Sequence, residues 1–360
     1  MKLSIGIVGL PNVGKSTLFN ALLKKQVAYA ANYPFCTIEP NVGIVEVPDE
    51  RLPVLAKIVK TDKIVPAVVE FYDIAGIVKG ASVGEGLGNK FLSHIREVSA
   101  IVHVVRLFED ENVVHVANKV DPKSDIETVE SELILADLET LEKVKSSKLK
   151  VKSESEKLKV DIAAKIIEEM NKGIPARNME FTDEEKELLK PLNLLTFKPV
   201  IYAFNVSESQ LERQEETKKR IADIPGVTNW LFFNAKLEND VLALSPAEQK
   251  EYLDQYQLSD TGLNRLIKES YKTLGLISFL TAGILEARAW TIQKGWAAPQ
   301  AAGTIHTDFE KKFIKADVVT YDEFVKSNGW IGAREQGKVL SAGKDYVMKD
   351  GDVVEFKIGA

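Results

Sequence analysis

The chain has little cysteine, no long apolar run and no excess of positive charge. Its one cysteine, Cys36, excludes an intrachain disulfide and any zinc site built from several thiolates. Apolar runs are strand-sized, as at 100–105, and fall short of the roughly 18 residues of a membrane span. The N-terminus lacks the charged-then-apolar pattern of a signal peptide, so a cytoplasmic location is expected. A net charge of −6 means that the chain as a whole is not drawn to nucleic acid, which leaves only a local basic face for that purpose. Membrane and DNA partners are therefore not expected, and the chain is expected to be a monomer. What is present is ordinary globular material. Apolar residues make up 45% of the 360, which argues against wholesale disorder, and the length suits two or three domains of about 150 residues each.

The most informative segment is Gly9-Leu10-Pro11-Asn12-Val13-Gly14-Lys15-Ser16. It fits G-x-x-x-x-G-K-[ST], with a short apolar strand before it (3–8) and a helical pattern after it (17–25), the context that a phosphate-binding loop requires. Glycines let successive N–H groups turn inward toward phosphate oxygens, Lys15 can reach the β- and γ-phosphates, and the Ser16 hydroxyl can ligate Mg²⁺. The helix N-terminus adds its dipole to the same anion site. Asn12, Val13, Gly14, Lys15, Ser16 and Thr17 are thus expected to hold a nucleotide.

The residues that follow narrow the class. An apolar, β-branched run at 65–72 predicts a buried strand ending in Asp73-Ile74-Ala75-Gly76. Such a D-x-x-G at a strand end lets the carboxylate hold the Mg²⁺ shell and the Gly76 N–H meet the γ-phosphate. Between the two motifs, Thr37 is the best placed threonine to sense γ-phosphate and metal, with a strand-start role as the alternative. The metal set is then Ser16, Thr37 and Asp73. Glycines 76, 80, 84, 86 and 88 predict a switch-type loop rather than a helix or strand.

Two segments compete to read the base. Asn118-Lys119-Val120-Asp121 matches the guanine-reading N-K-x-D, and Ser147-Lys148 follows it, but 141–152 has a charged helical rhythm with no strand to deliver those residues to a pocket. Asn205-Val206-Ser207-Glu208 follows an apolar strand at 199–204, and Asn234-Ala235-Lys236 follows another at 230–233. Both loops then lie at C-terminal strand ends, where open α/β sheets bind ligands. In that frame Glu208 replaces the aspartate that selects guanine and Val206 replaces the lysine. The longer Glu is badly placed for guanine, while Asn205 can bond N7 and the 6-amino group of adenine. ATP is expected over GTP, with a GTPase as the alternative.

Gly9–Ser16, Asn32-Tyr33-Pro34-Phe35-Cys36-Thr37-Ile38-Glu39-Pro40-Asn41, Asp73–Ala81, Gly84–Leu92 and Asn205–Glu208 together resemble the YchF/Obg-like ATPase family, TRAFAC-class P-loop NTPases, and the similarity runs to the C-terminus. The resemblance implies an α/β fold: a Ras-like P-loop NTPase domain interrupted by an α-helical coiled-coil hairpin and followed by a β-grasp (TGS) domain. It implies ATP and Mg²⁺ as cofactors, and ribosome or ribosomal RNA as partner. The expected boundaries are 1–128 and 196–276 for the nucleotide domain, 129–195 for the helical insertion and 277–360 for the TGS-like module.

Periodicity bears on the insertion independently. From Asp125 to about Met170 the chain is dense in Glu and Lys, with Leu133, Leu138, Leu141, Val144, Leu149, Leu158 and Ile162 at helical spacing, which predicts an antiparallel hairpin. Short β-like segments at 318–321, 346–348 and 353–357 mark the C-terminal module. His306 and Asp308 are too few ligands for a zinc site. The chemistry has one gap. The position after Gly76 is Ile77, which cannot orient a water, so hydrolysis is expected to be slow. Asn12 is expected to hold K⁺ beside the phosphates. Lys15, Asn12 and Gly76 form the expected catalytic set. His94 and His115 are more simply surface or core residues, and His103, on an apolar strand, is read as buried structure. Two functions of different class remain: a slow ATPase, and a nucleotide-gated binding protein with negligible hydrolysis of its own.

Overall fold

A computed structural model describes residues 3–32, 41–74, 80, 87–110, 119–146 and 153–359. Thr37, Gly76, Ile77, His115, Asn118 and Ser147-Lys148 lie outside the described residues. The chain divides into two compact units, one made of Met1–Ile44 with Glu70–Leu266, the other of Val45–Val69 with Ile267–Ala360.

Strands of the whole chain, in order, are β1 (Ser4–Val8), β2 (Val42–Glu46), β3 (Ile64–Val65), β4 (Val68–Asp73), β5 (Ala100–Arg106), β6 (Val200–Asn205), β7 (Trp230–Phe233), β8 (Leu276–Ala282), β9 (Ala287–Gln293), β10 (Phe313–Thr320), β11 (Leu340–Ala342) and β12 (Asp352–Ile358). The first sheet has the order β2-β4-β1-β5-β6-β7, and β4, β1, β5, β6 and β7 pair in parallel. Every residue of β1, β5 and β6 is buried, as expected of parallel strands covered on both faces. Register places Ile7 beside Asp73, Val8 beside His103 and Arg106 beside Asn205. The C-terminal ends of β1, β4, β5 and β6 therefore meet along one edge, where ligands bind in this class of sheet.

The predicted strand at 65–72 is in fact two strands. Pro66 has no N–H to give a ladder, and the chain breaks there. β4 joins the first sheet, whereas β3 pairs in parallel with β9 at Ile64↔Ala287 and Val65↔Arg288. Residues 45–69, read as part of a nucleotide domain running from 1 to 128, accordingly belong to the second unit. Helix Arg51–Val59 buries Leu52, Leu55 and Ala56 there, and Arg51 bonds Asp49 and Asp350, each at 2.8 Å.

The helical insertion is a pair, Pro122–Ser146 and Glu154–Met170, with Ile134, Leu141, Ile162, Ala163, Ile166, Ile167 and Met170 in its core. The apolar spacing that predicted the hairpin is the seam that it buries. Ser153 caps the second helix, its hydroxyl accepting from the Glu156 N–H at 3.2 Å. The first helix starts at Pro122, where the Asp121 carboxylate accepts from the Ser124 N–H at 3.3 Å. The aspartate of the competing N-K-x-D match thus serves as a helix cap.

The second unit holds a mixed sheet of order β11-β10-β12-β8-β9-β3. Phe279, Ile292, Phe313 and Val354 form its core against Ala298, Ala301 and Ala302 of helix Ala298–Ile305. His306 caps the next short helix through Nδ1, which accepts from the Asp308 N–H at 3.2 Å, so His306-Asp308 has a structural use. No helix is long and apolar enough to cross a membrane among the described residues.

Candidate nucleotide site

The loop after β1 has the backbone that its glycines foretold. Gly9 (φ +150) lies so close to the Val104 carbonyl that a Cβ would overlap it, and Gly14 (φ +102) lies equally close to the Asn205 amide. Asn12 is left-handed at φ 61, sparsely populated space for a side-chain-bearing residue and a mark of functional loops. Helix Lys15–Asn32 begins within the motif, with Ser16 and Thr17 exposed at its first turn, where N–H groups have no intrahelical partner.

Lys15 is 8% exposed, and its Nζ donates to the Leu10 carbonyl at 2.6 Å. Burial pushes its pKa down to about 8, against the pull of the Asp73 charge. Asp73 responds in the opposite sense: desolvation raises its pKa, and Lys15 opposes the rise. The two charges feel one another across the start of the helix and the end of β4, and burial works against both.

For a magnesium ion the available donors are of the right chemistry. Ser16 offers a hydroxyl and Asp73 a carboxylate, both hard oxygen ligands suited to a metal that keeps waters and substrate phosphates in its shell. No group of three or more His, Cys, Asp or Glu able to hold a metal occurs among the described residues.

The other end of the crevice is a cleft of about 570 Å³ bounded by Asn12, Gly14 and Thr17, by Phe108, Glu109 and Asp110, and by the loops at Asn205–Ser209 and Asn234–Lys236. The sequence-expected residues of both loops are therefore brought together with the phosphate loop. Asn205 also bridges two loops. Its Nδ2 donates to the Val13 carbonyl at 3.0 Å and its Oδ1 accepts from the Ala235 N–H at 3.1 Å. The amide ties the phosphate loop to the Asn234–Lys236 loop and has half its hydrogen-bonding capacity left for a base. Asn234 is a strut too: Nδ2 donates to Val206 O at 2.7 Å and Oδ1 accepts from the Leu237 N–H at 2.9 Å. Val206 is 1% exposed. Glu208, by contrast, is exposed, at the first turn of a helix capped by Ser207 and Gln210.

Sequence reasoning missed the third wall. Arg106, at the end of β5, is 1% exposed; its Nε donates to Phe108 O at 3.0 Å, its Nη2 to Asp110 O at 3.2 Å, and its Cζ lies 4.4 Å from the Phe108 ring centre. The one available signal was position, since 107–110 follows an apolar strand at the sheet edge that carries the other loops. His103 is buried, 5.7 Å from the Tyr202 ring between centroids, and burial holds its pKa down to about 3. His94 is exposed.

A parallel sheet of this order, with a G-x-x-x-x-G-K-S loop after β1 and an aspartate at the end of β4, defines a P-loop NTPase of the GTPase type. A family model described as a 50S ribosome-binding GTPase matches residues 4–132, and the YchF-GTPase C-terminal model, described as a protein of unknown function, matches residues 276–359. The chain is 51% identical to the Ribosome-binding ATPase YchF of Bacillus subtilis and 46% identical to that of Haemophilus influenzae, with 99% of each chain covered in both cases. The structure of the Schizosaccharomyces pombe YchF GTPase matches with a TM-score of 0.88 and 38% identity, over 99% of this chain and 98% of that one. The chain belongs to the YchF family.

Proposed function

We propose that this chain is a Mg²⁺-dependent ATPase that prefers ATP to GTP and whose nucleotide state gates association with the ribosome. The observation that carries the nucleotide choice is the base end of the cleft. Where a guanine-specific site would present a fixed aspartate, this one presents Glu208 on an exposed first helical turn, beside a buried Val206. Relatives named ribosome-binding ATPases support the activity and the partner. The relative called a GTPase keeps the second reading, a GTPase, in play.

In this reading the backbone of 12–17 cradles the phosphates, and Lys15 exchanges its Leu10 carbonyl for the β/γ oxygens. Asn205 and Asn234 hold the phosphate and base loops in register, and the Phe108 ring offers a face to the purine. Ser16, Thr37 and Asp73 would hold a Mg²⁺, which when bound would supply charge neutralisation at the phosphates. Gly76 contacts the γ-phosphate through its N–H. Because Ile77 cannot orient a water, intrinsic turnover is slow. Asn12 holds K⁺ beside the phosphates, so the rate in K⁺ exceeds that in Na⁺. The C-terminal unit is the TGS-like module and, with the helical hairpin, contacts ribosomal RNA or protein. The protein works in the cytoplasm as a monomer.

The deciding experiment is a titration with fluorescent ATP and GTP analogues plus Mg²⁺, on the wild type and on Glu208→Asp. Tighter ATP binding in the wild type, with the gap narrowing in the variant, is the expected result. A wild type that prefers GTP sinks the ATPase reading. A hydrolysis rate that ribosomes leave unchanged would sink the gating.

A further inference from the structure

Arg106 heads the largest fully buried side chains of the described residues, and it ends the strand that leads into the cleft. Burying a guanidinium is costly unless its donors are met, and an aliphatic residue would fill the end of β5 at lower cost. Its Nε and Nη2 donate to the carbonyls of Phe108 and Asp110, and its Cζ lies over the Phe108 ring, 4.4 Å from the centroid. Each of these contacts is with the wall segment that Phe108, Glu109 and Asp110 contribute to the cleft.

We propose that Arg106 is a positioning residue for the purine ring, acting through Phe108. Two bonds draw the 108–110 backbone back onto the end of β5, and the guanidinium fixes the ring from its inner side. The rest of the ring then faces the cleft at a set height. A cation on one face also withdraws π density from the ring and makes its other face a better partner for an electron-rich base. This rests on reading the cleft as the purine pocket. It adds a residue that never touches the ligand.

The test uses the full-length protein with Arg106→Met, Arg106→Lys, Phe108→Ala and the Arg106→Met/Phe108→Ala double variant. Three quantities are read: KM and kcat for ATP hydrolysis, inhibition by inorganic tripolyphosphate, and the melting temperature. Arg106→Met is expected to raise KM for ATP about tenfold with kcat at saturation held, the signature of lost uniform binding. Tripolyphosphate has no base, so its inhibition constant should stay within about twofold. The Met substitution should add little in the Phe108→Ala background, because coupled residues are not additive. Arg106→Lys keeps the cation and loses the fork, and should fall between wild type and Met. If Arg106→Met does not fold, the Lys variant carries the same comparison. An unchanged KM overturns the proposal. So does an equal loss of ATP and tripolyphosphate binding, which would mark a scaffold residue. A wild type that binds tripolyphosphate but shows no preference for any purine nucleotide over it would overturn the purine-pocket reading instead.

Discussion

Lys15 is a lysine pushed down to about 8 by burial, next to an aspartate pushed up. Polyphosphate binding needs the ammonium form. Below pH 8 the free protein already holds it, and above pH 8 each binding event must first recruit a proton. The apparent affinity for ATP should therefore be flat from pH 6.5 to 7.5 and fall by up to about tenfold per unit above pH 8. Titrations with a fluorescent ATP analogue between pH 6.5 and 9.5 read this directly, and a flat profile to pH 9.5 would show that Lys15 stays protonated throughout. His103 gives the matching effect on stability. Its folded pKa, about 3, lies below the ordinary 6.5, so on acidification the unfolded chain takes up a proton that the folded chain refuses. Its contribution is complete above pH 6.5 and is lost as pH falls toward 3, at a limiting slope of about 1.4 kcal/mol per unit. Urea unfolding at pH 7 and pH 5 should show the wild type losing more stability than His103→Asn over that interval. Equal losses would mean that the imidazole is not shielded as its burial implies.

The elements show how far sequence carries and where it stops. A period of three and four announces the hairpin because those residues must share one buried seam, and Leu141 and Ile162 do share it, with Leu138, Val144 and Leu158 packed against it. A phosphate loop is legible because its glycines answer to backbone geometry that tolerates nothing else. Asn205 was legible in place, whereas its bridging of two loops was not, since only the distances to Val13 and Ala235 reveal it. Arg106 left no motif at all: one buried arginine at a strand end is a packing fact. The two residues of β3 were illegible for a related reason, because a pairing that short is set by its partner strand. Asp137 belongs to the same hidden class. It is fully buried on the helix Pro122–Ser146, and its carboxylate accepts from Leu195 N, Thr196 N and Thr196 Oγ1, all at 2.8 Å. It thereby pins the chain leaving the insertion to the helix that opens it. Asp137→Ala strands three buried donors and should cost about 2–4 kcal/mol in urea unfolding, with faster amide exchange at 195–198. Asp137→Asn, which keeps an acceptor, should cost less. A loss below 1 kcal/mol in the alanine variant would mean that those donors find other partners.

At the scale of the whole molecule, charge constrains how such a protein can meet a ribosome. The net charge is −6, and the ribosome's RNA is a polyanion, so long-range attraction cannot bring the two together. Among the described residues, several lysines of the helical insertion are paired with near neighbours, as in Lys143–Glu139 and Lys145–Glu142, which reduces the free positive charge that the hairpin can offer to phosphate. On the proposed reading, docking then rests on a few local contacts rather than on a broad basic surface. The prediction is a shallow salt dependence. Each phosphate neutralised contributes about 0.7–0.9 to the slope of log K against log salt, so about two to four contacts give a slope of about −1.5 to −3.5. Sedimentation of the ATP-bound protein with ribosomes between 50 and 300 mM KCl would measure it. A slope near zero would assign the docking to ribosomal protein. One steeper than about −6 would require a basic face that the net charge and the paired lysines argue against.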